Sequence, residues 1–94
     1  MFSLLQSEGK IGSLTIPNRV VMPAMGVNLA MPDGAVTDEI IAFYEARARG
    51  GSGLIITEVT RVAGGAGISD PCQLAAYRPG DIASLQKLVD IIHK

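Results

Sequence analysis

The sequence has no tryptophan, two tyrosines, two phenylalanines, one histidine and one cysteine. Because Cys72 stands alone, it forms no internal disulfide and brings no cluster of thiolate ligands for a metal. No histidine or second cysteine lies nearby in the sequence to activate its thiol, which favours a packing role. His93 falls in the last turn of a helical segment, where a surface position is favoured over a ligand position. This cysteine usage is typical of a reducing compartment, and we expect a cytoplasmic protein.

The sequence also lacks a large net charge of either sign, because it has eight lysine and arginine residues and nine aspartate and glutamate residues. The basic residues are scattered, so the sequence lacks the positive patch of a protein that binds nucleic acid or an anionic membrane. The first ten residues carry neither a basic leader nor an apolar segment of signal-peptide length, and no stretch approaches the ~18 apolar residues of a membrane span. We therefore expect no nucleic-acid partner, no export and no membrane anchor.

Short aliphatic runs, in contrast, are plentiful, and they alternate with helical patterns. Residues 10–12 and 14–16 predict a small hairpin. A β-branched run over residues 19–22 predicts the first core strand, which Pro23 ends because proline has no N–H for the ladder. About fourteen residues of loop follow, although connections after strands usually take roughly 2–6. So long a loop indicates that it holds something.

Two helical patterns follow, separated by a second strand. Thr37 can cap the first helix, and a pair of glycines ends it. The apolar stripe of this helix is Ile40, Ile41, Tyr44 and Ala48. The apolar start of residues 53–59 predicts a strand buried on both faces, as in a parallel sheet, and residues 60–79 are predicted to form a loop. The last helix spans residues 80–94, and its predicted buried face is Ile82, Leu85, Leu88, Val89 and Ile92.

This order of elements indicates the class of fold. Successive parallel strands, each followed by a helix, are typical of either a doubly wound sheet or a (β/α) barrel. The long loops after the strands, and the absence of a tight glycine turn after the first one, favour the barrel. Alternate side chains of the strands are expected to point away from the helices, namely Val20, Met22, Leu54 and Ile56. We therefore expect a piece of a larger barrel, or a chain whose open sheet is covered by partner surfaces.

Several candidate functional positions lie after the predicted strands. The stretch AGGAGISD lacks the spacing of a dinucleotide fingerprint, so a turn-rich loop is favoured there. Glu58 ends an apolar strand, where catalytic groups emerge from a barrel, and it is either such a group or a structural carboxylate bonded to nearby backbone. Arg61 is predicted to be a solvated surface side chain; the alternative is a side chain that meets an anionic ligand. Residues 23–26 offer backbone groups, a soft methionine and a glycine, which suit one edge of a planar cofactor; the alternative is a loop that only crosses the barrel top.

Two stretches, IPNRVVMPAMG and DGAVTDEIIAFYEARARGGSGLIITEVTRV, are similar to the amino-terminal part of the old yellow enzyme family of FMN-dependent oxidoreductases. Among its branches the chain most resembles the 2-enoate reductase and 2,4-dienoyl-CoA reductase group of NADH:flavin oxidoreductases. The resemblance runs from Leu5 to the end of the chain. It implies that residues 1–94 are the incomplete N-terminal part of an FMN-binding TIM-barrel domain. The implied α/β fold is an N-terminal hairpin followed by the first two βα units of a TIM (β/α)8 barrel.

The resemblance also implies which residues face the cofactor. The loop after the first strand lines the flavin with main-chain atoms in this family, and the matching residues are Pro23, Ala24, Met25 and Gly26. Val59 matches a flavin-contacting residue after the second strand, and Asn28 matches a substrate-side residue. Many relatives have threonine or cysteine at Gly26, where glycine offers only backbone to tune the flavin. Relatives commonly have glycine or alanine at Val59, so the valine is expected to crowd the flavin edge.

The implied reaction passes hydride from NAD(P)H through FMN to the β-carbon of an activated alkene. The family takes its remaining flavin contacts and its proton donor from later strands, so no catalytic residue is expected in this chain, which alone is expected to be inactive. An iron–sulfur cluster and FAD are expected only in a full-length enoate reductase. The implied partners are an alkene substrate and either a second copy or the rest of the barrel. The alternative is an inactive half-barrel-like module that self-associates or pairs with another chain.

Overall fold

The computed structural model describes residues 2–63 and 71–93. Within these residues the chain forms six short strands and two helices. They are β1 (Gly9–Ile11), β2 (Leu14–Ile16), β3 (Val21–Met22), α1 (Asp38–Arg49), β4 (Leu54–Ile55), β5 (Thr60–Arg61), β6 (Leu74–Ala75) and α2 (Pro79–Ile92). Most of the stretch AGGAGISD, predicted to be a turn-rich loop, lies outside the described residues. Neither helix is long and apolar enough to cross a membrane, as far as the described residues reach.

The predicted hairpin is confirmed, with its first strand one residue earlier than expected. Strands β1 and β2 pair antiparallel, with Gly9 opposite Ile16 and Ile11 opposite Leu14. Gly12 lies in the two-residue turn with a φ of 60°, a left-handed conformation that glycine adopts without strain. The guanidinium of Arg19 donates to the carbonyl of Glu8, which ties the hairpin to the start of the first core strand.

Strands β3 and β4 pair parallel, as the sequence predicts. Val21 lies opposite Leu54, and Met22 lies opposite Ile55. Both strands are shorter than predicted, because only two residues of each take part in the ladder. The last bond of this ladder runs from the Ile56 N–H to the Met22 carbonyl, over 3.0 Å, and Pro23 then has no N–H to extend it.

The faces of these strands correct one expectation. Met22 was expected on the open face with Val20 and Ile56, but it is buried in the core beside α1. Val20, Val21 and Ile56 are the exposed side chains instead. Strict alternation fails because Val20 precedes the two paired residues and so lies outside the regular pleat. The open face that remains is apolar.

Helix α1 forms as predicted. The hydroxyl of Thr37 accepts the Ile40 N–H over 3.2 Å and donates to the Leu29 carbonyl over 2.6 Å. The cap therefore satisfies a helix N–H and fastens the preceding loop to the helix at the same time. The predicted stripe is buried at Ile40, Ile41 and Tyr44. This stripe is the centre of the core, against which Leu74 and Leu88 pack.

Helix α2 also forms, but its buried face is narrower than predicted. Leu88 is buried, and Leu85, Ile91 and Ile92 are partly buried against the core. Ile82 is 73% exposed, and Val89 is exposed as well, so their predicted place on the buried face is wrong. With 3.6 residues per turn, Ile82 and Val89 lie roughly 120° and 100° around the helix from Leu88. The contact with α1 is too narrow to cover them.

A third strand pair lies in what the sequence predicts to be a loop. Strands β5 and β6 pair parallel, with Thr60 opposite Leu74 and Arg61 opposite Ala75. The prediction of a solvated Arg61 is wrong, because this side chain is only 5% exposed. Its guanidinium donates to the carbonyls of Pro32 and Gln73, over 3.1 and 3.2 Å. These two carbonyls lie far apart in sequence, and their hydrogen bonds hold the Arg61 side chain in the interior.

Candidate functional site

The segment Pro23, Ala24, Met25 and Gly26, called here the 23–26 loop, leaves the carboxyl end of β3. All four residues are exposed, and the Met25 side chain is 50% exposed although it is apolar. Within the described part of the chain, the N–H groups of Ala24, Met25 and Gly26 donate to no acceptor. The loop thus offers an apolar surface beside free backbone donors.

Glu58 lies beneath this loop and is only 3% exposed. One carboxylate oxygen, Oε2, accepts the Val27 N–H over 2.9 Å. The other, Oε1, accepts the Leu74 N–H over 3.1 Å. Of the two interpretations of Glu58, the structural carboxylate is therefore the one that the structure supports. Because a buried carboxylate is costly unless it is hydrogen-bonded, these two bonds explain why it is tolerated here.

Tyr44 fixes the backbone of Glu58 from the side of α1. The Tyr44 hydroxyl oxygen accepts the Glu58 N–H over 2.8 Å. The ring is fully buried and meets Phe43 edge to face, with 5.3 Å between the centroids. Burial raises the pKa of the Tyr44 hydroxyl above its usual value. The phenol therefore stays neutral in the ordinary pH range and acts as a fixed polar group inside the core.

Val59 follows Glu58 and is 47% exposed. The hydrogen bond from the Val27 N–H to the Glu58 carboxylate brings the two segments together. Val59 comes directly after Glu58, and Gly26 comes directly before Val27. The structure therefore brings together two segments that the sequence places some thirty residues apart and that we predict to face a cofactor. The role of these residues stays a prediction.

Asn28 has a φ of 58°, the one left-handed residue other than glycine in the described residues. Its side-chain Oδ1 accepts the Cys72 N–H over 2.9 Å, and the Cys72 carbonyl accepts the Ala30 N–H over 3.1 Å. The carboxamide oxygen thus holds the loop against the segment that leads into β6. Its NH2 group has no acceptor within the described part of the chain and remains available to a ligand.

The far end of the same loop is fastened to the start of α2. Gly34 has a φ of 94° and lies directly against Ala75, where a Cβ would collide. Arg78 donates to the Asp33 carbonyl over 2.6 Å and to the Asp81 carboxylate over 2.8 Å. Hydrogen bonding to Arg78 lowers the pKa of Asp81 to about 2. The long loop after β3 is therefore held at both ends.

Within the described residues, cavities also lie away from the 23–26 loop. One of about 470 Å³ lies between β4 and the last turns of α2. Its lining includes Leu54, Val89 and His93, and none of the residues predicted to face a cofactor. His93 is exposed, as predicted. The described residues contain no group of three or more side chains suited to bind a metal.

Comparison with known proteins identifies the family. The model of the NADH:flavin oxidoreductase / NADH oxidase family matches residues 9–94. The chain belongs to this family. It is 46% identical over 92 residues to the NADH oxidase of Thermoanaerobacter brockii, covering 98% of this chain and 14% of the relative. It is 39% identical over 92 residues to the NADPH dehydrogenase of Listeria monocytogenes serotype 4b, covering 97% of this chain and 27% of the relative.

Solved structures of old yellow enzymes share the fold. The enzyme from Trypanosoma cruzi superposes with a TM-score of 0.84 at 31% identity, over 98% of this chain and 24% of that one. Morphinone reductase, solved in complex with tetrahydroNAD, superposes with a TM-score of 0.83 at 27% identity, over 95% of this chain and 23% of that one. These neighbours are TIM-barrel proteins, and this chain covers about a quarter of the length of each. The resemblance predicted from the two sequence stretches is confirmed.

Proposed function

We propose that residues 1–94 form the N-terminal part of an FMN-binding barrel and contribute one wall of its flavin site. The complete protein, in this proposal, passes hydride from NAD(P)H through FMN to an activated C=C bond. The observation that carries the proposal is the exposed 23–26 loop beside Val59, both at the carboxyl edge of parallel strands in a chain of this family. Barrel enzymes place their active sites at that edge.

The residues present fit a flavin. The isoalloxazine ring is flat and apolar across its face, with polar atoms on one rim, and the exposed side chains of Met25 and Val59 suit that face. The free N–H groups of the 23–26 loop suit the rim, and Gly26 permits close approach because it has no side chain. Bound FMN supplies the hydride chemistry. The chain's own residues bind and orient the ring, and none of them is assigned a proton.

Asn28 is proposed to face the substrate. Its Oδ1 is already bonded to the Cys72 N–H, so the group left for a substrate is the NH2 donor. A donor in this position suits a carbonyl oxygen that activates an alkene, because hydrogen bonding there stabilises the charge that develops during hydride transfer. The relatives, an NADH oxidase and an NADPH dehydrogenase, support a nicotinamide donor for the complete protein.

A chimera tests the flavin site. Residues 9–94 of this chain replace the segment that they match in the Listeria monocytogenes NADPH dehydrogenase, with which this chain shares 39% identity. We expect the purified chimera to be yellow and to release FMN on denaturation. A folded chimera, judged by circular dichroism, that neither retains nor binds FMN would contradict the proposal. The isolated chain with FMN and NADH is expected to reduce no alkene.

Two methionines of the long loop between β3 and α1 provide a matched pair of variants. Met25 and Met31 are each 50% exposed, but only Met25 lies in the 23–26 loop. Aspartate at position 25 removes an apolar contact of about 1.5–3 kcal/mol with the ring, so Met25→Asp should weaken FMN binding by roughly 10- to 100-fold. Met31→Asp should leave the affinity unchanged. Equal affinities for both variants would remove Met25 from the flavin site.

The open sheet face favours association with further protein. Val20, Val21 and Ile56 are exposed together on β3, β4 and their flanks, and leaving an apolar side chain wet forfeits about 1.5–3 kcal/mol. We propose that the rest of the barrel covers this face, and that the isolated chain self-associates through it. Sedimentation of the isolated chain tests this, since Ile56→Lys should shift an oligomer to monomer. A wild-type chain that stays monomeric at high concentration would refute self-association.

A further inference from the structure

Glu58 is the buried group whose role the proposed function leaves open. Its carboxylate accepts hydrogen bonds from two backbone N–H groups, and within the described residues no lysine or arginine forms an ion pair with it. A carboxylate that served only to offset a buried cation would have a basic partner. Here both oxygens are used as acceptors, one for each of two distant segments.

The two bonds connect the site to the core. Val27 is the residue directly after the 23–26 loop, and Leu74 is a fully buried residue of β6. The Glu58 backbone is itself held by the Tyr44 hydroxyl on α1. The carboxylate therefore fixes the carboxyl end of the 23–26 loop to α1 and β6.

The bond to Val27 also orients a peptide group. A trans peptide is planar, so its C=O and N–H point in opposite directions, and the described residues contain no cis peptide. Because the Val27 N–H points at Glu58, the Gly26 carbonyl points away from Glu58. An acceptor is thus presented on the side of the loop opposite the buried carboxylate, where an N–H on the rim of a flavin can donate to it.

We propose that Glu58 is a positioning residue for the flavin, which it orients by fixing the Gly26–Val27 peptide next to Val59. This inference rests on the proposed function. The position requires a carboxylate, because each of its two oxygens accepts an N–H. Glutamine has the same shape but one acceptor oxygen, so it must turn its NH2 group toward one of the two N–H groups and lose that bond.

Amide hydrogen exchange in the isolated chain tests the clamp without flavin. In the wild type, Val27 and Leu74 should be protected, whereas Met25 and Gly26 should exchange freely. In Glu58→Gln, one of the two protected amides should exchange on the order of 10- to 100-fold faster, as expected for loss of a bond to a charged acceptor. Glu45→Gln is the matched control, since Glu45 is a half-buried carboxylate of α1 that pairs with Arg49 and, within the described residues, bonds to neither Val27 nor Leu74. A freely exchanging Val27 in the wild type would overturn the proposal even if the variant fails to fold.

The visible absorption band of FMN in the chimera tests the positioning role. Glu58→Gln should shift this band and weaken FMN binding roughly tenfold or more, and Glu45→Gln should do neither. If the wild-type chimera binds no FMN, the proposed function fails while the amide-exchange result still stands. If the wild-type chimera binds FMN and Glu58→Gln matches it in band and affinity, the positioning role is refuted.

Discussion

Replacing Tyr44 by phenylalanine removes one oxygen atom from the centre of the core and leaves the ring in place. That oxygen accepts the Glu58 N–H over 2.8 Å, and both residues are buried. The variant leaves a buried N–H without an acceptor, which costs about 1–3 kcal/mol. With a urea dependence of about 1 kcal/mol per molar for a chain of this size, the unfolding midpoint should fall by roughly 1 M or more.

Tyr77→Phe is the control for this measurement. Tyr77 is exposed, and within the described residues its hydroxyl makes no hydrogen bond, so the variant should unfold at the wild-type midpoint. The assay is urea unfolding followed by far-ultraviolet circular dichroism. Equal midpoints for Tyr44→Phe and Tyr77→Phe would mean that the Tyr44 hydroxyl does not support the Glu58 backbone.

Two further predictions concern the loop between β3 and α1 and the start of α2. Arg78 lowers the pKa of Asp81 to about 2 from an unfolded value near 3.8. This carboxylate therefore stabilises the fold above about pH 4, and the stabilisation is lost as the pH falls toward about 2. Thermal unfolding measured from pH 5 to pH 2 should show this dependence, and Asp81→Asn should weaken it. Gly34→Ala adds a Cβ that collides with Ala75 at a positive φ, whereas Gly12→Ala has a positive φ and open space. Calorimetry should show a larger loss for Gly34→Ala, and equal losses would mean that the contact with Ala75 relaxes freely.

Local signals in the sequence were enough to predict the helices and the parallel core strands. Thr37 caps α1 by accepting the Ile40 N–H, so the residue that predicts the helix start and the bond that it makes lie within four residues of each other. The stop at Pro23 depends only on a missing N–H. The buried stripe of α1 followed from helical spacing, but the same rule failed for Ile82 because it counts apolar residues and does not measure how wide the neighbouring surface is.

Contacts between distant segments could not be predicted in the same way. Strands β5 and β6 pair over only two residues each, too few for a periodic pattern. Arg61 is buried because two carbonyls from separate loops accept its guanidinium, and no residue type marks those carbonyls. Glu58 did carry a signal, a charged residue at the end of an apolar run, but the sequence could not decide between its two roles. The Val27 N–H, which shows that Glu58 is a structural carboxylate, could not be predicted because only the backbone of Val27 takes part.

The proposed flavin wall is tested most directly by a crystal structure of the FMN-loaded chimera. We expect the isoalloxazine ring to lie within van der Waals contact, about 4 Å, of Met25 and Val59, with the Gly26 carbonyl turned toward the ring. A ring bound at another edge of the barrel, with the 23–26 loop facing solvent, would contradict it.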